Sequence, residues 1–184
     1  MSSLKRNFLE YIKPLSWEET FGFWRDNEAS RPNWIKVYKS RGFKSWDDWR
    51  KTYVKQLGCE KLQWHLYKLI DPAKHTPSFY GGPYRTWVER FYGGKRIRKF
   101  SEIIELAEIQ DHKGINSIAN NFPKETVIIG LEVKGEIVII EGMHRCCAIA
   151  TMSKNQKEIE SNVFIALAEY PKNNLSVIGR VVED

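Results

Sequence analysis

A candidate phosphate-binding turn lies in the second half of the chain, at five consecutive residues: Glu141, Gly142, Met143, His144 and Arg145. A glycine lets the backbone approach a ligand closely, and an arginine can donate two parallel hydrogen bonds to phosphate oxygens. Two basic side chains at the start of a helix oppose its dipole, so helix stability does not account for them, whereas a bound anion does. The alternative is that Arg145 pairs with Glu141 and that His144 belongs to a polar cluster.

The elements on either side of these residues place them at a strand–turn–helix junction. Residues 127–133 and 136–141 are rich in β-branched side chains and are separated by a Lys-Gly turn, which predicts a β-hairpin. A helix is predicted from about residue 144 to residue 152. The first backbone N–H groups of a helix have no partner within it, so they favour an anion. We therefore expect residues 142–146, including Cys146, to bind a phosphate group.

The order of predicted elements between residues 100 and 150 resembles that of the ParB/sulfiredoxin superfamily. Two helices are followed by the β-hairpin, by Gly-x-His-Arg at 142–145, and by a helix with several small side chains. In that superfamily the helix after the turn binds nucleotide phosphates with its N-terminus. The resemblance covers about a quarter of the chain. It implies ATP or ADP as the ligand, held by residues 142–146.

The free-serine kinases of this superfamily carry Asp-Gly-His-His-Arg at the turn, to which Glu141-Gly142-Met143-His144-Arg145 is similar. The resemblance implies that Glu141 acts as a base or Mg²⁺ ligand, and that His144 and Arg145 hold phosphates. Sulfiredoxins carry their reactive cysteine immediately before His-Arg, where this chain has Met143, so sulfinic-acid reduction is not expected. The implied activity is a nucleotide-dependent phosphotransferase that acts on a small hydroxyl-bearing substrate. Glu141 and His144 would be catalytic, with ATP or ADP and Mg²⁺ as cofactors.

Basic and aromatic residues are concentrated in the first half of the chain, which supports a different hypothesis. Residues 1–92 contain 17 Lys and Arg against 10 Asp and Glu, a net charge of +7, and all seven tryptophans. Basic residues interleaved with aromatic rings are typical of proteins that bind single-stranded nucleic acid. The alternative function is therefore a nucleic-acid-binding module. The helical spacing of the aromatic residues favours a simpler use, as the core of a helical region.

Capping signals divide the first half into helices. Helices are predicted over residues 4–28, 34–40 and 45–57, with Ser16 opening a capping box and Ser45 as a second N-cap. Their large aromatic side chains recur at helical spacing, so we expect them to be buried. They are Trp17, Trp24, Trp46, Trp49 and Tyr53.

These elements together predict an α+β fold. An aromatic-rich helical region, residues 1–94, would pack on a small mixed sheet formed after residue 125. That sheet would belong to a ParB/sulfiredoxin-like region spanning residues 95–184. The boundary is loose, and one compact domain is the alternative. Residues 61–70 fit either a strand or a short helix. Residues 162–169 are predicted to form a strand, with residues 175–182 as a candidate for one more.

We expect the binding site in a cleft at the Gly142 turn. A dense basic cluster at residues 95–99 would form one wall, although solvated loops are the commoner explanation for such charge runs. Aromatic residues would form another wall, with Tyr80, Tyr84 or Trp87 as candidates.

The composition argues against membrane proteins and secreted disulfide-stabilised domains. No apolar stretch approaches the ~20 residues that span a bilayer, and the first residues lack the apolar stretch of a signal peptide. Of the three cysteines, Cys146 and Cys147 are adjacent and Cys59 is distant, which fits a reducing compartment. We therefore expect a cytoplasmic protein without membrane partners. The sequence does not indicate an oligomeric state.

Overall fold

A seven-stranded mixed β-sheet runs through residues 7–179, the part of the chain that the computed structural model describes. Its strands in chain order are Leu9–Leu15 (β1), Trp64–Leu69 (β2), Tyr80–Gly81 (β3), Arg98–Lys99 (β4), Glu125–Val133 (β5), Glu136–Glu141 (β6) and Asn162–Glu169 (β7). They lie in the order β1-β2-β7-β5-β6-β3-β4. The sheet is mixed because β5 pairs in parallel with β7 and antiparallel with β6.

Nine α-helices within residues 7–179 accompany the sheet. They are Trp17–Glu28 (α1), Pro32–Ser40 (α2), Trp46–Leu57 (α3), Pro72–His75 (α4), Arg85–Arg90 (α5), Phe100–Ile103 (α6), Ala107–Gln110 (α7), Lys113–Asn120 (α8) and Met143–Lys154 (α9). Short 3₁₀ turns occupy Cys59–Lys61 and Thr76–Ser78. No helix in the described residues combines the length and the apolar character needed to cross a membrane.

Two hydrophobic cores lie on opposite faces of the sheet. Adjacent side chains of a strand point to opposite faces, so Ile128 packs in the core beneath α9 and Ile129 packs in the core beneath α1 and α3. Both side chains are fully buried. This arrangement confirms the α+β fold class and the mixed sheet.

The sheet is larger than the sequence predicts, because four of its strands precede residue 125. The helix predicted over residues 4–28 is wrong for residues 9–15, which form β1, while residues 4–6 lie outside the described part. Proline lacks the N–H that a helix interior requires but is tolerated in an edge strand. Pro14 therefore fits β1, which pairs only with β2 among the described strands. Residues 61–70 contribute β2, so the strand alternative is the observed one.

The helices of the first half follow their capping signals. Ser16 accepts a hydrogen bond from the N–H of Glu19 and completes the predicted capping box of α1. Ser45 caps α3 through the N–H of Asp48, and Gly58 ends that helix in the left-handed conformation. The expected burial is confirmed for four of the aromatic residues, and Trp17 is half-buried. The four buried residues are Trp24, Trp46, Trp49 and Tyr53.

The predicted elements of the second half are largely confirmed. The hairpin of β5 and β6 turns at Lys134 and Gly135, both with positive φ, and β7 and α9 form as expected. The additional strand expected near residues 175–182 is wrong for residues 175–179, where Ile178 makes only an isolated bridge to Tyr84. Residues 180–182 lie outside the described part.

Candidate functional site

The turn between β6 and α9 requires a glycine. Every residue of β6 after Glu136 is buried, and the strand ends at Glu141. Gly142 follows with a φ of +95°, a backbone conformation that residues with a Cβ rarely adopt. A Cβ at this position would lie 2.6 Å from Cγ2 of Ile128. The chain therefore turns within one residue, and α9 begins at Met143 without a side-chain cap.

A cavity of about 300 Å³ lies at this turn, between the carboxyl end of β6 and the helices of the first half. Five aromatic residues line it: Trp34, Trp49, Tyr53, Tyr84 and Trp87. Four arginines and two glutamates also line it: Arg31, Arg41, Arg50, Arg145, Glu28 and Glu141. The cavity thus combines aromatic walls with an excess of positive charge.

The cleft predicted at Gly142 is present, but its walls differ in part from those expected. Tyr84 and Trp87 line it, whereas Tyr80 and residues 95–99 are described by the structure and do not. Two arginines of the basic cluster are bound elsewhere. Arg96 donates a hydrogen bond to the carbonyl oxygen of Leu175 at 3.4 Å. Arg98 donates to the carbonyl oxygen of Phe91 at 2.7 Å.

Arg145 is buried and directed at protein acceptors. Its Nη2 donates to the Glu141 carboxylate, and its Nη1 donates to the hydroxyl of Thr126. The same Nη1 also lies 3.0 Å from the carbonyl oxygen of Val127. The ion pair that the sequence analysis left as the alternative is therefore formed. Arg145 lines the cavity, but much of its hydrogen-bonding capacity is used to fix the turn to β5.

Glu141 is held from two sides. Arg145 binds Oε1, and the side-chain amide of Asn27 donates to Oε2 at 3.2 Å. Burial raises the pKa of the Glu141 carboxyl, the nearby carboxylate of Glu28 adds to this, and Arg145 and Asn27 oppose it. Because Asn27 is on α1, this contact joins the first half of the chain to the turn.

His144 is neutral at ordinary pH. Its ring lies 5.0 Å from that of His112 and 5.6 Å from that of Trp87, measured between ring centres. Burial, together with the nearby His112, Arg31 and Arg145, lowers the pKa of His144 to about 4. A neutral imidazole can donate or accept a hydrogen bond at the cavity wall, but it adds no positive charge there.

Met143 and Cys146 differ in their access to the cavity. Met143 lines it and is otherwise buried. Cys146 is fully buried and is absent from the lining, and its backbone N–H donates to the carbonyl oxygen of Gly142 at 2.9 Å. Burial also raises the pKa of the Cys146 thiol. Of the predicted phosphate-binding residues 142–146, all except Cys146 therefore line the cavity.

The sequence analysis missed the contribution of α1, α2 and α3 to the cavity wall. Asn27 and Glu28 come from the end of α1, Arg31 precedes α2, and Arg50 is on α3. Arg50 lies next to Trp49 in the predicted aromatic face, and a charged residue among large rings could have indicated a polar site there. No comparable signal marks Asn27, whose role depends on a contact with Glu141, 114 residues away in the chain.

Comparisons with protein-family models, with curated proteins and with solved structures find no match for this chain. The site is therefore interpreted from its own geometry. Within residues 7–179, no group of three or more His, Cys, Asp or Glu side chains is arranged to hold a metal ion.

Proposed function

We propose that the cavity binds a nucleotide, with its phosphates at the N-terminus of α9. The observation that carries this proposal is the uncapped start of α9, which opens at Gly142 onto the cavity. The first N–H groups of a helix need external acceptors, and the helix dipole favours negative charge beside them. A phosphate supplies both acceptors and charge.

The charges of the lining support an anionic ligand. Four arginines face two glutamates, an excess of two positive charges. Arg50 and Arg145 are paired with Glu28 and Glu141 respectively. Among the described residues no carboxylate pairs with Arg31, and it is close enough to His144 to lower that residue's pKa. Arg31 is therefore the cation best placed to contact a phosphate at the turn.

The aromatic lining supports a ligand with a flat ring. Trp34 and Trp87 are half-buried and line the cavity from two different helices, α2 and α5. Bases stack on aromatic side chains with little dependence on their identity. A nucleotide would satisfy both the cationic and the aromatic parts of the wall, which inorganic phosphate alone would not.

Phosphoryl transfer to a small hydroxyl-bearing substrate is a second candidate, favoured by the raised pKa of Glu141 within the cavity. A raised pKa makes a carboxylate a better proton acceptor than an ordinary one. Mg²⁺ in such sites is held by one or two carboxylates and by substrate phosphates. Here Glu28 and Glu141 are both already paired with arginine. The residues thus fit a resident Mg²⁺ poorly, and the proposal includes no step that needs one.

The alternative of a nucleic-acid-binding module rests on the net charge of +7 in residues 1–92. The aromatic residues it would use for stacking are mostly in the core, since Trp24, Trp46 and Trp49 are each at most 3% exposed. This alternative would therefore rely on phosphate contacts, with affinity that falls steeply as salt rises.

Isothermal titration with ATP and with tripolyphosphate tests the proposal. Both probes should bind, because both carry the triphosphate group. Arg31→Ala should weaken both by about tenfold or more, the expected effect of losing a hydrogen bond to a charged group.

Lys36→Ala is the matched control. Lys36 is an exposed cation on α2 that does not line the cavity, so its loss removes the same charge without a contact. Absence of binding by both probes would overturn the proposal. Equal losses in Arg31→Ala and Lys36→Ala would overturn the assigned role of Arg31. Tighter binding of a single-stranded oligonucleotide than of ATP would favour the nucleic-acid alternative.

A further inference from the structure

The carboxylate of Glu28 is held through one of its two oxygens. Oε2 accepts hydrogen bonds from Trp46 Nε1 at 3.0 Å and from Arg50 Nε at 2.7 Å. Arg50 Nη2 also approaches Oε2, at 2.6 Å. No donor among the described residues meets Oε1. The side chain is only 13% exposed and lines the cavity, so Oε1 is an acceptor left for a ligand.

Arg50 fixes the orientation of this carboxylate. Its guanidinium lies within 5.3 Å of four aromatic ring centres, with the shortest distance, 3.9 Å, to Trp49. Rings on several sides leave the guanidinium little freedom, and the Arg50 side chain is only 5% exposed. The pairing through Oε2 is therefore rigid, and a rigid acceptor contributes more to selectivity than a mobile one because less freedom is lost on binding.

The contacts place Glu28 between the two ends of the cavity. At one end, Asn27 hydrogen bonds to Glu141, the residue before the Gly142 turn. At the other end, Arg50 packs against Trp34 and Trp49. Glu28 follows Asn27 in the chain and binds Arg50, so it lies between the proposed phosphate end and the aromatic end. The part of a nucleotide that joins its phosphates to its base is the sugar.

We propose that Glu28 Oε1 accepts a hydrogen bond from a sugar hydroxyl of the bound nucleotide, and so selects nucleotides that carry this hydroxyl over ligands that lack it. This inference rests on the proposed nucleotide-binding function. A site built to hydrogen-bond a hydroxyl discriminates strongly against an analogue without it, because a desolvated acceptor is then left unpaired. Glu28 is a binding and specificity residue in this proposal, without a part in any chemical step.

The test compares ATP with 2′,3′-dideoxy-ATP, with tripolyphosphate as a probe that has no sugar. In the wild type, ATP should bind about tenfold or more tighter than the dideoxy analogue. In Glu28→Gln this preference should fall to about threefold, because the amide oxygen stays with Arg50 and Trp46. The amide nitrogen then faces the hydroxyl as a neutral donor, which forms a weaker hydrogen bond than a carboxylate does. In Glu28→Met it should disappear. Tripolyphosphate affinity should not fall in either variant, since the loss of a negative charge from the wall does not weaken the attraction for a polyanion.

The preference ratio separates recognition from structural damage, since a general loss of affinity affects both nucleotides alike. Asp47→Asn is the matched control, because Arg25 and Asp47 form the other ion pair between α1 and α3 and neither residue lines the cavity. Its preference ratio should equal that of the wild type. If Glu28→Met does not fold, Glu28→Gln alone decides.

Each remaining outcome is decisive. A wild-type preference near one overturns the inference, as does an unchanged preference in Glu28→Gln. If ATP, the dideoxy analogue and tripolyphosphate all bind with equal affinity, the phosphate site stands and the sugar contact is wrong. If no probe binds to the wild type, the proposed function fails and this inference fails with it.

Discussion

Arg145 and Glu141 illustrate how a buried charge depends on its partner. Both side chains are under one-tenth exposed, and each hydrogen bonds to the other and to β5 or α1. Removing an ion from water is costly, and the attraction between partners offsets that cost only while both are present. Loss of one partner leaves the other charge buried and unpaired, which is the main reason such variants are unstable.

Glu141→Gln should therefore lower the free energy of unfolding by about 3 kcal/mol, because the amide cannot neutralise Arg145. Urea unfolding followed by circular dichroism measures this. Glu136→Gln, at the exposed start of the same strand, is the control and should change stability by less than about 0.5 kcal/mol. Near-normal stability of Glu141→Gln combined with loss of nucleotide turnover would instead favour Glu141 as a catalytic residue.

At the scale of elements, the sequence predicts structure well where the information is local. α3 has its N-cap, its aromatic face and its terminal glycine within 14 residues, from Ser45 to Gly58. The β5–β6 hairpin is similarly local, with β-branched runs around a two-residue turn. β1 lacks such local information, because its residues pair with residues of β2 that lie 49 to 60 positions further along the chain, from Leu15 with Trp64 to Leu9 with Leu69.

The candidate site divides in the same way. The turn from Glu141 to Arg145 is contiguous in sequence, so its position at a strand–helix junction is predictable. Its wall is not contiguous, since Asn27, Glu28 and Arg50 reach it only after α1 and α3 pack on the sheet. Long-range contacts of this kind leave no periodic pattern in a single sequence.

Gly142→Ala tests whether the β6–α9 turn requires a residue without a Cβ. The variant should lose about 3 kcal/mol of stability, from the unfavourable positive φ and the contact of its Cβ with Ile128. Gly135→Ala is the control, since it also has positive φ but its Cβ would meet no described atom within 4 Å. That variant should lose only about 1–2 kcal/mol, and equal losses in urea unfolding would contradict the packing argument.

At the scale of the whole molecule, the cavity depends on contact between the two halves of the chain. β1 and β2 lie in the same sheet as β5, β6 and β7, and the first-half helices form one of the two cores against it. Residues 1–94 and residues 95–184 therefore differ in composition but contribute strands to the same sheet. We expect the two regions to unfold together.

Two probes can follow the regions separately. All seven tryptophans lie between Trp17 and Trp87, so their fluorescence reports on the first region. Cys146 and Cys147 are buried in α9, and in a Cys59→Ala background their reaction with a thiol reagent reports on the second. The midpoints of urea unfolding should coincide for the two signals, because loss of β2 would expose the edge of β7 and uncover one core. A tryptophan midpoint at clearly lower urea would show that residues 1–94 form a separate unit.

Unfolding in the presence of a ligand extends this test, because residues of both regions line the proposed binding cavity. Tripolyphosphate at 100 times its dissociation constant should stabilise the native state by about 2.7 kcal/mol, since it binds the folded chain alone. Both midpoints should rise together. Arg31→Ala should show about half of this stabilisation at the same tripolyphosphate concentration, because a tenfold loss of affinity leaves the ligand at about ten times its dissociation constant. Lys36→Ala should behave as the wild type. A rise confined to the thiol signal would mean that the anion contacts α9 without the first-half helices, and the cavity as described would not be the binding site.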